Sequence, residues 1–173
     1  MADEAKRYND IRDIKNFIKR LIAFVVIMYL IFGVIFGVKI VSDNSMKPKL
    51  MAGDVTFFYR LERNISQGDV VFYKESKDHR LYLGRVIALP GDKIDITNEH
   101  GLNVNGSVVL ENDIFFKTCP YEGGIEFPVT LAKEEYFVLA DYREGTKDSR
   151  YFGPVKKSDI VGNVIAVVRK SEI

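Results

Sequence analysis

The first grouping in this chain that could do chemistry is Ser45-Met46-Lys47-Pro48. A serine hydroxyl attacks a carbonyl only when a neighbouring base takes its proton, so the group beside it decides what it can do. Lys47 and Lys49 are close in sequence, but solvated ammonium groups stay charged at neutral pH and cannot accept that proton. The two histidines, His79 and His100, read as surface residues, and His79 falls in a loop far along the chain from Ser45. One cysteine, Cys119, excludes an internal disulfide, and with two histidines it makes a zinc site improbable. No metal or organic cofactor is implied. Taken alone, the Ser-Met-x-Pro run is also an ordinary turn before a proline.

The elements that must hold such a serine set its location. The chain has 173 residues, room for one domain and appendages, and its 47% hydrophobic and 28% charged residues describe a folded protein. A net charge of +1 gives no field to gather nucleic acid. Leu21–Val38 runs eighteen residues without a charge, roughly 27 Å as a helix against a hydrocarbon core of ~30 Å. Phe17 and Ile18 extend it, because Lys19 and Arg20 can snorkel to the headgroups. The run is too long for the apolar part of a cleaved secretory signal and has no small-x-small site after it. Six cations precede it (Lys6, Arg7, Arg12, Lys15, Lys19 and Arg20), which places the N-terminus in the cytoplasm. The expected plan is a cytoplasmic segment at 1–16, a transmembrane helix at 17–38 and an extracytoplasmic domain at 39–173.

That domain reads as mostly β. Val55–Tyr59, Asp69–Lys74, Leu81–Leu89, Tyr136–Leu139 and Val161–Val168 are short runs rich in β-branched and aromatic residues. Asn105-Gly106 between Leu102–Val104 and Val108–Leu110 is a type I′ hairpin signal. No stretch of the domain has a convincing helical period. The expected fold is a mainly β, barrel-like domain on one N-terminal helix.

Four segments then occur in order: Ser45-Met46-Lys47-Pro48, Gly68–Phe72 (GDVVF), Arg85–Asp92 (RVIALPGD), and Asp141-Tyr142-Arg143 with Asp148–Gly153 (DSRYFG). Together they resemble the boxes of the type I signal peptidase family (S26), over the anchor and nearly the whole exported domain. That family is a group of hydrolases that cleave signal peptides with a serine–lysine dyad at the outer membrane surface. The resemblance puts Ser45 at the nucleophile position, close to the bilayer, with Met46 packed beside it. Asp43, Met46, Tyr82 and Leu83 fall at substrate-binding positions. Arg85, Arg143, Asp148 and Arg150 fall at structural positions, with an Asp–Arg pair steadying the active-site loop. The short chain is similar to the compact Gram-positive members.

The departures concern the chemistry. The family's base is a lysine immediately before the arginine of the third segment, and that position is Gly84 here. Loss of the base costs a serine protease on the order of a million-fold. Asp43 stands two residues before the serine, where the family commonly has Gly or Ser and where a negative charge opposes an oxyanion. Thr146 stands where a serine normally bonds the lysine. Lys74 is the best substitute base. If Asp69–Lys74 and Leu81–Leu89 pair through Glu75–Arg80, it lies opposite Leu81, on the face Gly84 does not share, and points away from Ser45.

The resulting expectation is a non-catalytic homologue that binds signal-peptide-bearing precursors or pilin subunits by strand addition. Lysine-deficient homologues resemble the accessory proteins encoded with Gram-positive pilus genes, implying a chaperone-like part in pilus assembly beside a sortase. The partners expected are exported precursors or pilins, a sortase and membrane lipid. The alternative is an active peptidase using Ser45 with an atypical base. A structural subunit with no groove function is a third reading.

Overall fold

The computed structural model describes residues 2–61, 64–75, 80–109, 111 and 114–170. The chain divides into two compact units, Met1–Gly37 and Val38–Ile173.

The first unit is helix α1, Ala2–Tyr29, continued by a π-helical turn, Leu30–Ile35. Apolar side chains project all round it: Phe17, Leu21, Phe24, Val25, Ile27 and Leu30 are exposed. Among the described residues it supplies the one segment, Arg12–Ile35, long and apolar enough to cross a membrane. The helical conformation stops three residues before the apolar run does, and the Phe36 N–H donates back to the Ile31 carbonyl. Gly33 and Gly37 together with β-branched Val34, Ile35 and Val38 weaken a helix there, and Phe36–Ile40 extends as strand β1.

Ten further strands follow. They are β2 (Val55–Tyr59), β3 (Val70–Lys74), β4 (Leu81–Ala88), β5 (Lys93–Thr97) and β6 (Gly101–Val104). After them come β7 (Ser107–Val108), β8 (Val129–Thr130), β9 (Glu135–Leu139), β10 (Val155–Lys156) and β11 (Ile160–Val168). The larger sheet runs β1-β2-β11-β3-β4-β9-β10 and curls as a half-barrel; the smaller runs β7-β6-β5-β8. The domain is mainly β, as the residue pattern predicts. One helical turn, α2 (Ser149–Phe152), and a 3₁₀ turn at Lys157–Asp159 are too short to leave a period.

Alternation along β4 explains how the core is built. Leu83 faces Val41, Met46, Leu50, Phe58 and Phe72, with Leu81 packed against the same group. Tyr82 and Val86 face the other way, toward Val71, Tyr73, Tyr136 and Val138. A register shift between Val86 and Ala88 then turns Ile87 and Ala88 toward Ile94, Ile96 and Leu102 of the smaller sheet. At the hairpin turn joining β6 to β7, Asn105 and Gly106 have φ of 54° and 86°, the left-handed pair a type I′ turn requires.

Candidate functional site

Ser45 lies in the turn between β1 and β2, and that turn is tied down on several sides. The Val41 N–H donates to the Asp54 carbonyl at 2.8 Å, and the Gly53 N–H to the Val41 carbonyl at 2.9 Å. The Asn44 side-chain oxygen accepts from the Ala52 N–H at 3.1 Å. Met46 is fully buried beneath the turn, and its sulfur accepts a 3.4 Å hydrogen bond from the Asp141 N–H. The Ser45 carbonyl accepts from the Tyr142 N–H at 2.8 Å, so the turn is joined to the chain that follows β9.

The backbone of Ser45 is thus held, but its hydroxyl is not. Ser45 is only 9% exposed, and its Oγ is buried with no hydrogen-bond partner, and so no hydrogen-bonded base, among the described residues. The Ser45 N–H, by contrast, is taken: it donates to Asp43 Oδ1 at 2.9 Å. In an acyl-transfer site the backbone N–H of the nucleophile is a natural oxyanion donor. Here a carboxylate oxygen occupies that donor in advance.

The loop that follows β9 is braced by paired charges. Arg85 of β4 grips Asp141 with two hydrogen bonds, Nε to Oδ1 at 2.9 Å and Nη2 to Oδ2 at 2.6 Å, and gives Nη1 to the Gly68 carbonyl. Asp148 accepts from Arg150 Nε and Nη2, each at 2.9 Å, and also from the N–H groups of Ala140 and Arg150. Ser149 Oγ accepts from the Val138 N–H, so one short turn closes off the end of β9. Arg150 also binds the Cys119 and Arg143 carbonyls. Arg143 pairs with Glu111 and donates to Thr118 Oγ1 at 2.8 Å. Burial lowers the Arg143 pKa and the Glu111 charge opposes that shift. The Arg143 Nε is the other buried polar atom left without a partner among the described residues.

Residues of the turn and of the loop line a cavity of about 470 Å³. Asp43, Ser45, Tyr82, Leu83 and Thr146 all line it, so five of the positions singled out in the sequence converge. Met46 and Gly84 do not line it. Tyr121, Tyr142, Gly145 and Lys147 do, and sequence reasoning did not select them. Tyr142 carried a signal, since it stands inside the fourth segment between Asp141 and Arg143. A narrower recess with Ser42, Phe72 and Leu81 adjoins it, sharing Asp43 and Leu83. β9 pairs with β4 only from Arg85 onward, so the preceding stretch of β4 lies between β3 on one side and the cavity on the other.

Gly84 pairs with Val71 and follows Leu83 on the opposite face of β4. A Cβ at that position would stand 2.7 Å from Val138 Cγ1 and 3.1 Å from the Leu139 carbonyl oxygen. Val138 is completely buried and β-branched, so it has little freedom to yield. Lys74 pairs with Leu81 as the hairpin predicts, but cross-strand partners share a face, so Lys74 is on the side of Leu81 and Leu83. It is exposed at the strand end and does not line the cavity. Lys147 does line it, and its ammonium sits over the Tyr151 ring at 4.1 Å. His100 is exposed, and His79 lies outside the described residues. Among the described residues no cluster of His, Cys, Asp or Glu could hold a metal ion.

The half-barrel thus carries a cavity with Ser45 in its lining and residues of the loop after β9 facing it. The sequence profile of the signal peptidase, peptidase S26 family matches residues 14–169, and the chain belongs to that family. It is similar to signal peptidase I P of Bacillus subtilis subsp. natto, with 29% identity over 94% of this chain and 91% of that protein. The signal peptidase I of Bacillus caldolyticus is 33% identical over 75% of this chain and 78% of its own length. A solved signal peptidase I from Enterococcus faecalis V583 superimposes with a TM-score of 0.48 at 24% identity, covering 60% of this chain and 98% of that one.

Proposed function

We propose that this protein is a membrane-anchored, non-cleaving signal peptidase homologue whose extracytoplasmic domain holds an extended segment of an exported precursor. Residues 1–16 are cytoplasmic, the apolar helix spans the membrane, and the β domain works outside. The observation that carries the reading is the state of Ser45, with a hydroxyl that has no hydrogen-bonded base and an N–H already given to Asp43. Gly84 replaces the dyad lysine, and the contact its Cβ would make with Val138 supports a site that has closed over the vacated position. What remains is a groove beside β4, lined by Tyr82 and Leu83, suited to strand addition. Its clients are signal-peptide-bearing proteins, and among them pilin subunits. The role is chaperone-like, in pilus assembly alongside a sortase.

A second reading is an active signal peptidase. Family membership and the retained Ser45 hydroxyl favour it.

The deciding experiment is cleavage of a signal-peptide-bearing pilin precursor by the detergent-solubilised protein and its Ser45→Ala variant. The expected result is no cleavage by either, with precursor still captured. Cleavage by the unaltered protein that is lost in Ser45→Ala overturns the proposal in favour of the second reading.

A further inference from the structure

Two ammonium groups are held beside the Ser45 cavity by aromatic rings. Lys47 Nζ lies over the Tyr142 ring, 5.6 Å from its centroid, and Tyr142 lines the cavity. Lys147 lines the cavity itself and is stacked on Tyr151. Lys47 follows the Asp43–Met46 turn and Lys147 follows Thr146, so one comes from the turn and the other from the loop. Neither has a carboxylate within ion-pair distance among the described residues.

The charges around them decide what they can serve. Asp43 is the acid lining the cavity, and one of its oxygens is committed to the Ser45 N–H. Arg150, over the Tyr121 ring at 6.0 Å, is neutralised by Asp148. Glu122 and Glu144 are exposed on neighbouring loops and do not line the cavity. The edge of the cavity therefore carries two ammonium groups without an ion-pair partner among the described residues, set against the Asp43 carboxylate that lines it. Stacking restricts both side chains before any ligand arrives, which lowers the ordering cost of using them.

We propose that Lys47 and Lys147 are specificity-determining residues that select a bound polypeptide segment carrying acidic side chains on either side of the residue seated over Ser45. This rests on the cavity being a peptide groove. The preference is for carboxylates presented along an extended chain, met by one ammonium from the turn and one from the loop.

The test uses the full-length protein in nanodiscs and three fluorescein-labelled peptides, identical except at two positions that carry Asp and Glu, Asn and Gln, or two Lys. Anisotropy titration is expected to give about tenfold tighter binding of the acidic peptide than of its amide counterpart, the size expected of two rim ion pairs. The gap is expected to shrink with added salt and to close in a Lys47→Gln, Lys147→Gln double variant. In Lys147→Glu the preference is expected to move toward the Lys peptide. Equal affinity of the acidic and amide peptides for the unaltered protein overturns the inference while leaving the groove reading intact. A preference that persists in the double variant overturns it as well. If none of the three peptides binds, the groove reading itself fails and the inference with it.

Discussion

The turn that carries Ser45 and the loop that follows β9 each contribute residues to the same cavity, yet they treat polar atoms in opposite ways. On the loop, almost every buried charge has found its partner: Arg85 with Asp141, Arg150 with Asp148, Arg143 with Glu111. On the turn, the hydroxyl that could attack a substrate has none, and the N–H that could hold an oxyanion is occupied by Asp43. Buried polar groups are ordinarily satisfied, so a buried Ser45 hydroxyl without a partner among the described residues is the exception on this side. The contrast teaches that the frame of this domain and its candidate reactive centre are held by different means. The frame is kept by burial and pairing, which folding enforces. The centre depends on groups that folding does not need.

The comparison breaks most visibly if the frame is cut. Asp148→Ala leaves the Arg150 guanidinium buried without its counter-ion and frees two backbone N–H groups, which is expected to cost about 3–5 kcal/mol. Urea denaturation followed by intrinsic tyrosine fluorescence measures it, and a loss under about 1 kcal/mol would contradict the described role.

Altering the centre tests the other half. Gly84→Lys introduces a titrating group but drives a Cβ into Val138, so a loss of about 1–3 kcal/mol and no peptidase activity are expected. Adding Val138→Ala removes the obstructing methyl groups, and the double variant is expected to be more stable relative to Val138→Ala alone than Gly84→Lys is relative to the parent. A fully stable and active Gly84→Lys protein would show that the position had never closed. Asp43→Ala, which releases the Ser45 N–H, is expected to cost about 0.5–1.5 kcal/mol, the worth of one hydrogen bond. Combined with the Gly84→Lys, Val138→Ala pair, it is the variant in which precursor cleavage should first appear.

The smallest effect lies outside the cavity. Asp54 accepts from the Met51 and Lys170 N–H groups, and these bonds hold its pKa below the usual carboxylate value. A carboxyl with a folded pKa below its unfolded one stabilises above about pH 4, and that contribution fades as pH falls through the folded value. The difference in melting temperature between the parent and Asp54→Asn is therefore expected to be present at pH 7 and to narrow in acid. An unchanged difference at pH 3 would show that the carboxylate charge plays no part.

Much of this was legible in the residues, for identifiable reasons. Asn105-Gly106 fixes its turn through φ alone, and the β3–β4 hairpin follows from two neighbouring runs rich in β-branched and aromatic residues. β1 was hidden because Phe36–Ile40 continues an apolar stretch that reads as helix, and hydrophobicity does not distinguish the two at a junction. β8 and β10, two residues each, are held by pairing with β5 and β9 and leave no local pattern. Within the site, Ser45, Tyr82, Leu83 and Thr146 could be named because neighbouring residues form a pattern. Lys147 and Tyr121 enter through tertiary proximity, which spacing along the chain does not encode. The crowding of Gly84 by Val138 is also invisible in one dimension, since it depends on the register of β4 against β9.

β11 is the last strand in chain order, yet it lies inside the larger sheet between β2 and β3. Until Ile160–Val168 is available, β2 and β3 have no strand to join them, and the halves of the sheet carrying the Ser45 turn and the β4 wall cannot lock together. A chain delivered from its N-terminus therefore completes this domain late, through contacts between residues about a hundred positions apart, the kind that slow folding. That order leaves the domain open until its final strand has arrived, whatever else has already paired.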